Sequence, residues 1–174
     1  RLFINDMLLF DFQSTGPAKM ESPPVKLEKG RRYSMRLEYV ERGDHANCAL
    51  KWAAKTVKEC LVRALPPGKP DGVLTPDGFL AEYGQQGSAK VLVSRRELTV
   101  NQNWKYGSPD PEIEAEKFWG RYTGWITPPV DGEYFFSLEY DEGVHLYLDD
   151  VMLFDSGNRS GDATKVELAP LHLK

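Results

Sequence analysis

Residues 1–11 (RLFINDMLLFD) and 145–155 (HLYLDDVMLFD) are one segment written twice in the same chain. Leu2, Asp6, Leu9, Phe10 and Asp11 recur as Leu146, Asp150, Leu153, Phe154 and Asp155, an offset of 144 residues. Further along, PVKL at 24–27 falls over PLHL at 170–173 at an offset of 146, so the correspondence survives a two-residue slip. A period of this length is that of a domain, whereas solenoid repeats recur every 20–50 residues or so. The chain therefore reads as a tandem array cut at both ends. Residues 1–53 are the C-terminal half of one copy, 54–77 a linker, and 78–174 the opening two-thirds of the next. The linker contains PPG at 66–68 and PDG at 70–72 and 76–78, whose fixed and permissive dihedrals break regular structure. Residues 53–64 leave room for a short helix or strand ahead of it.

Strand periodicity dominates the rest. Tyr134, Phe136, Leu138 and Tyr140 alternate with Phe135, Ser137 and Glu139, which at period 2 places one apolar face on a core. Val144, Leu146 and Leu148 repeat the pattern after Asp141-Glu142-Gly143, so the two runs read as a hairpin. Tyr33, Met35, Leu37 and Tyr39, followed by residues 46–52 beyond Glu41-Arg42-Gly43-Asp44, read as a second one. Short strands with polar turns and almost no helical periodicity predict an all-β chain, an antiparallel β-sandwich or barrel. On this pattern Trp52 and Trp125 are expected in the core, and His145 on the outward, solvated side of its strand.

Composition narrows the partners. Hydrophobic residues are 41% and charged residues 28%, as in globular proteins, and no apolar run approaches the ~20 residues that cross a bilayer, so membrane insertion is not expected. A net charge of −4 argues against a nucleic-acid partner, which needs a clustered positive surface. Two cysteines make no disulfide framework; Cys48, in the alternation Ala46, Cys48, Leu50, Trp52, reads as a buried small hydrophobe in preference to a Cys48–Cys60 bridge. The three histidines have no zinc spacing, and no Gly-x-Ser-x-Gly nucleophile motif is present, so the segment is read as non-catalytic.

The run RYTGWITPPVDGEYFFSLEYDEGVHLYLDD at 121–150 resembles the signature of the anthrax protective antigen N-terminal domain family, the "PA fourteen" domain. Segments 78–83, 104–111, 25–39 and 49–52 are similar to its opening strand, its loop before the signature and its closing half. The signature itself is chiefly architectural: Pro128-Pro129 removes two backbone donors and stops the strand ending at Ile126, and Asp131-Gly132 turns the chain into the next. The resemblance implies a β-sandwich of extracellular or cell-surface proteins that commonly binds glycans.

In the adhesin branch of that family two consecutive aspartates in a turn hold Ca²⁺, which bridges sugar hydroxyls. The matching positions here are Asp141 and Glu142, and a calcium shell of 6–8 oxygens would need further ligands such as Asp44 and Asn47. The plain reading of the same residues is a solvated turn. Asp149-Asp150 and its counterpart Asn5-Asp6 read as turn residues that tolerate left-handed geometry. Trp104, Tyr106 and Trp119 border loops and are the candidate sugar platforms, since aromatic rings offer flat apolar faces. Asn158-Arg159-Ser160 is an N-glycosylation sequon.

The chain is thus expected to be an extracellular, lectin-like module in a tandem array, with glycans or cell-wall polysaccharide as partners. The alternative is a structural spacer of an extracellular filament, sheath or wall, with neighbouring repeats or other subunits as partners. A half sandwich leaves strand edges unpaired and an apolar face wet. Residues 1–53 and 78–174 are therefore expected either to pack as one permuted sandwich or to need flanking sequence. In the first case segments 1–11 and 145–155 compete for one place in the sheet.

Overall fold

The computed structural model describes residues 3–4, 7–8, 18–22, 24–43, 45–64 and 78–155. Two short strands, β1 (Phe3–Ile4) and β2 (Met7–Leu8), pair with each other. The other strands form two antiparallel sheets. The first holds β3 (Ala18–Glu21), β4 (Val25–Leu27), β6 (Ala46–Ala54), β7 (Val57–Leu61), β10 (Asn101–Lys105) and β12 (Gly132–Tyr140). Its order is β10–β6–β12–β3, with β4 also beside β12 and β7 also beside β6. The second holds β5 (Tyr33–Val40), β8 (Phe79–Gln85), β9 (Val93–Glu97), β11 (Phe118–Ile126), β13 (Gly143–Leu148) and β14 (Val151–Asp155). Its order is β14–β13–β5–β11–β8–β9.

Alternation builds the core. β5 buries Tyr33, Met35, Leu37 and Tyr39, β12 buries Tyr134, Phe136, Leu138 and Tyr140, and β13 buries Val144, Leu146 and Leu148, all in one cluster between the sheets. Each such side chain contributes roughly 1.5–3 kcal/mol when removed from water. Two glycines of β11 make room for aromatic rings: a Cβ on Gly124 would lie 2.7 Å from Phe79 Cδ1, and one on Gly120 would lie 3.1 Å from the Tyr83 ring. Cys48 is buried and Cys60 exposed, and neither is in a disulfide. Among the described residues no helix is long and apolar enough to cross a membrane.

The two segments flanking 65–77 are woven together. β5 lies between β11 and β13, and β6 lies between β10 and β12. The stretch expected as linker begins later than residue 54. β6 runs through Ala54, β7 turns back along it, and Val62 and Ala64 are buried.

Both expected hairpins turn out to be crossings between the sheets. β12 belongs to the first sheet and β13 to the second, and likewise β6 and β5. A two-residue hairpin link usually takes positive φ at one or both central residues, and neither Asp141 nor Glu142 has it. Asp149 and Asp150 do, at 45° and 61°, and they close the true hairpin β13–β14 with Leu148 opposite Val151 and Tyr147 opposite Met152. The pairs Ile4–Met7 and Phe3–Leu8 of β1–β2 are the same contacts 144 residues earlier. Asp149 is fixed further, its Oδ1 accepting from Ser34 N at 2.7 Å while its own N–H donates to Ser34 O at 2.9 Å.

Two burial expectations are corrected. Trp125 is 43% exposed because it shares the outward parity of β11 with Arg121 and Thr123. His145 is 1% exposed although it faces outward. It stands opposite Glu38 in the sheet and, with Trp119 and Arg121, lines a small cavity on that face.

Candidate functional site at the loop end

The crossings gather the candidate residues at one end of the sandwich. There the links 41–45 and 141–142 lie beside the ends of β10 and β6, where Lys105 pairs with Ala46 and Asn103 with Asn47. Because these links span two sheets, their carboxylates are pulled inward. Asp141 is 4% exposed, Glu142 9%, and Glu41, which sequence reasoning passed over, is fully buried.

Glu41 is held from several sides. Its Oε2 accepts from the Tyr39 hydroxyl, its Oε1 accepts from Gly43 N at 2.9 Å, and its own N–H donates to Phe118 O. Burial raises its carboxyl above the usual range against the lowering effect of these donors, and Asp141 raises it further. Glu142 is pushed up to about 7, first by burial and then by Glu41, with Arg42 opposing. Its Oε2 is buried without a hydrogen bond, 3.9 Å from Arg42 Nε. Burial and the neighbouring Glu41 likewise raise the Tyr39 hydroxyl.

The solvated-turn reading of Asp141-Glu142 therefore fails: these acids sit inside. Among the described residues no three His, Cys, Asp or Glu side chains are placed to hold a metal ion. Asn47 is half-buried on β6, and Asp44 lies outside the described residues, as do Asn158 and Asn5-Asp6.

Of the three aromatic platforms, one is available. Tyr106 is 69% exposed, its ring 4.1 Å centroid to centroid from His45. Trp104 is committed to packing, its ring 5.3 Å from Phe118, 5.7 Å from Tyr39 and 6.0 Å from Tyr83. Trp119 is 7% exposed, lying over Gly84 where a Cβ would come within 2.5 Å of it, and its Nε1 donates to Ser88 O at 2.9 Å. A loop position alone did not separate these three. The missed signals were the parity that Trp104 shares with Gln102, alternating with exposed Asn101 and Asn103 along β10, and the small residue opposite Trp119.

The PA14 domain model matches residues 76–174, more than half of the chain. A segment of the Anti-sigma-I factor RsgI3 of Acetivibrio thermocellus is 27% identical over 176 residues. That alignment covers 97% of this chain and 27% of that protein, so the chain spans about a quarter of the length of the curated relative it matches. No solved structure matches it.

Proposed function

Because the chain belongs to the PA14 domain family, we propose that it is a non-catalytic carbohydrate-binding module of an extracellular or cell-surface protein, working at the loop end of the sandwich. The observation that carries this reading is Tyr106, an exposed ring backed by His45 at the end of the sandwich where the two links cross. Such a ring stacks on the C–H face of a sugar, and Asn47, opposite Asn103 at the same end of the sheet, supplies donors and an acceptor for hydroxyls. Similarity to one segment of a longer protein, an anti-sigma-I factor, supports an accessory role for such a module.

Calcium fits this end poorly as it stands. A cation would have to displace Arg42 from Glu142 and take the proton that burial keeps there near neutral pH. The binding reading therefore runs through Tyr106, and ion dependence is a separate arm of its test. Calorimetry on hits from a glycan array, with and without Ca²⁺, should show binding that Tyr106→Ala weakens by about tenfold, a loss on the scale of one stacking contact. A folded protein that binds no neutral or acidic glycan, or whose binding is indifferent to Tyr106→Ala, sinks the loop-end site. Calcium dependence would restore Asp141, Glu142, Asp44 and Asn47 as ligands.

A second reading, a spacer in an extracellular array with neighbouring repeats as partners, is favoured by the recurrence of one hairpin with one register at β1–β2 and β13–β14. A parent chain with many such copies and no glycan binding in any of them would favour it over the lectin-like role.

A further inference from the structure

The repeated segments 1–11 and 145–155 each keep a hairpin of their own, β1–β2 and β13–β14. The duplication meets a single place in the sheet further along. At the offset of 146, residues 18–27 (AKMESPPVKL) correspond to 164–173 (TKVELAPLHL), with Lys19, Glu21, Pro24 and Leu27 recurring as Lys165, Glu167, Pro170 and Leu173. The first stretch holds β3 and β4, which cover one edge of β12 while β6 covers the other. The second stretch lies outside the described residues.

Its sequence nonetheless has the pattern that this edge selects. Val25 and Leu27 are buried, opposite Tyr134 and Gly132, and their counterparts Leu171 and Leu173 are apolar. Lys19, Glu21 and Lys26 are exposed, and their counterparts Lys165, Glu167 and His172 are polar. Parity of this kind is selective, because a slip of one residue would turn the apolar set to water. Lys19 Nζ also lies 3.9 Å from Glu139 Oε1, a charge that Lys165 keeps.

Position favours the second stretch as well. The crossings set β12 against β13 and β6 against β5, so β3 and β14 lie at the same edge of the sandwich. They also meet at the same end: β14 closes with Asp155 opposite His145, near the start of β13, and β3 opens with Ala18 opposite Tyr140, the last residue of β12. The eight residues 156–163 reach up to about 28 Å when extended, against about 10 Å between packed sheets.

One difference sets which stretch is held. Ser22 is buried, its Oγ accepting from Phe136 N at 2.9 Å and its own N–H donating to Phe136 O at 2.7 Å. Leu168 stands at that position in the second stretch and has no acceptor on its side chain, which leaves the Phe136 N–H unpaired. We propose that the outer edge of β12 is an exchangeable strand site: residues 18–27 hold it, and residues 164–173 of the same chain are its second occupant. With 18–27 on β12, a copy is tied to the one before it; with 164–173 there, the tie is released at this edge.

Cysteine pairs across the edge test this in the full chain, in a Cys60→Ser background, since Cys48 is buried. Glu139→Cys with Lys19→Cys and Glu133→Cys with Lys26→Cys are the controls, each pair standing opposite in register. Glu139→Cys with Lys165→Cys and Glu133→Cys with His172→Cys probe the second occupant. Under copper–phenanthroline oxidation, read by peptide mass spectrometry, at least one probe pair should close within one chain, about tenfold more slowly than its control. Ser22→Ala should narrow that gap by about tenfold, the scale of one lost hydrogen bond. Probe pairs that stay open while their controls close, controls that do not close, probe disulfides formed only between chains, or a gap indifferent to Ser22→Ala would each overturn the proposal. None of these outcomes depends on sugar binding, so the loop-end reading is tested separately.

Discussion

Glu142 lies between Glu41, Asp141 and Arg42, and burial with the Glu41 charge lifts its carboxyl from an ordinary 4.5 to about 7. Below pH 4.5 the group is protonated folded or unfolded and favours neither state. As pH rises toward 7 the unfolded chain gives up the proton first, so stability is lost through that window and the loss is complete above it. A shift of this size corresponds to roughly 3 kcal/mol at most. Glu41 shifts in the same direction and adds to the trend. Glu142→Gln should therefore raise the urea-unfolding free energy by about 2 kcal/mol at pH 8 and leave it nearly unchanged at pH 4. Destabilisation at pH 8 that is absent at pH 4 would mean that the Arg42 contact outweighs burial of the charge. None of this could be read from Asp-Glu-Gly in the sequence, because a turn signal gives no hint that its carboxylates point inward.

At the scale of elements, period and parity were legible and sheet assignment was not. The alternations in β5, β12 and β13 fell on the residues that are buried, and the all-β class followed from them. β11 was harder to read because aromatic rings occupy both parities: Phe118, Tyr122 and Ile126 face the core while Trp119 and Trp125 face out. Two-residue polar links look alike in sequence, yet 141–142 crosses between sheets and 149–150 closes a hairpin. What separates them is backbone conformation, and Glu adopts positive φ less readily than Asp. Asp149→Ala should cost about 1–2 kcal/mol by losing the Ser34 hydrogen bond at a positive-φ position, whereas Asp150→Gly should be neutral or stabilising. Gly124→Ala, meeting Phe79 at 2.7 Å, should cost about 1–3 kcal/mol in the same denaturation assay. A neutral Gly124→Ala would show that Phe79 can retreat and that β11 and β8 are packed more loosely than their contact implies.

For the whole molecule, the consequence lies in how the strands are shared. Residues 18–64 supply β5 to the second sheet and β3, β4, β6 and β7 to the first; residues 78–155 supply the rest. Taken alone, the first segment leaves β5 without a neighbour and β6 with only β7. The second leaves β12 with none and parts β11 from β13. Each would then expose one side of its core together with unpaired strand edges. Cleavage at a protease site placed between Ala64 and Gly78 is thus expected to leave the two fragments bound through size-exclusion chromatography. After separation in urea, mixing should restore the β-sheet circular dichroism that neither fragment shows alone. Two fragments that elute apart, each folded, would mean that the segments are self-sufficient domains. The shared core, and with it the way β12 and β13 bring Asp141 and Glu142 beside Glu41, would then not be what holds the loop end in place.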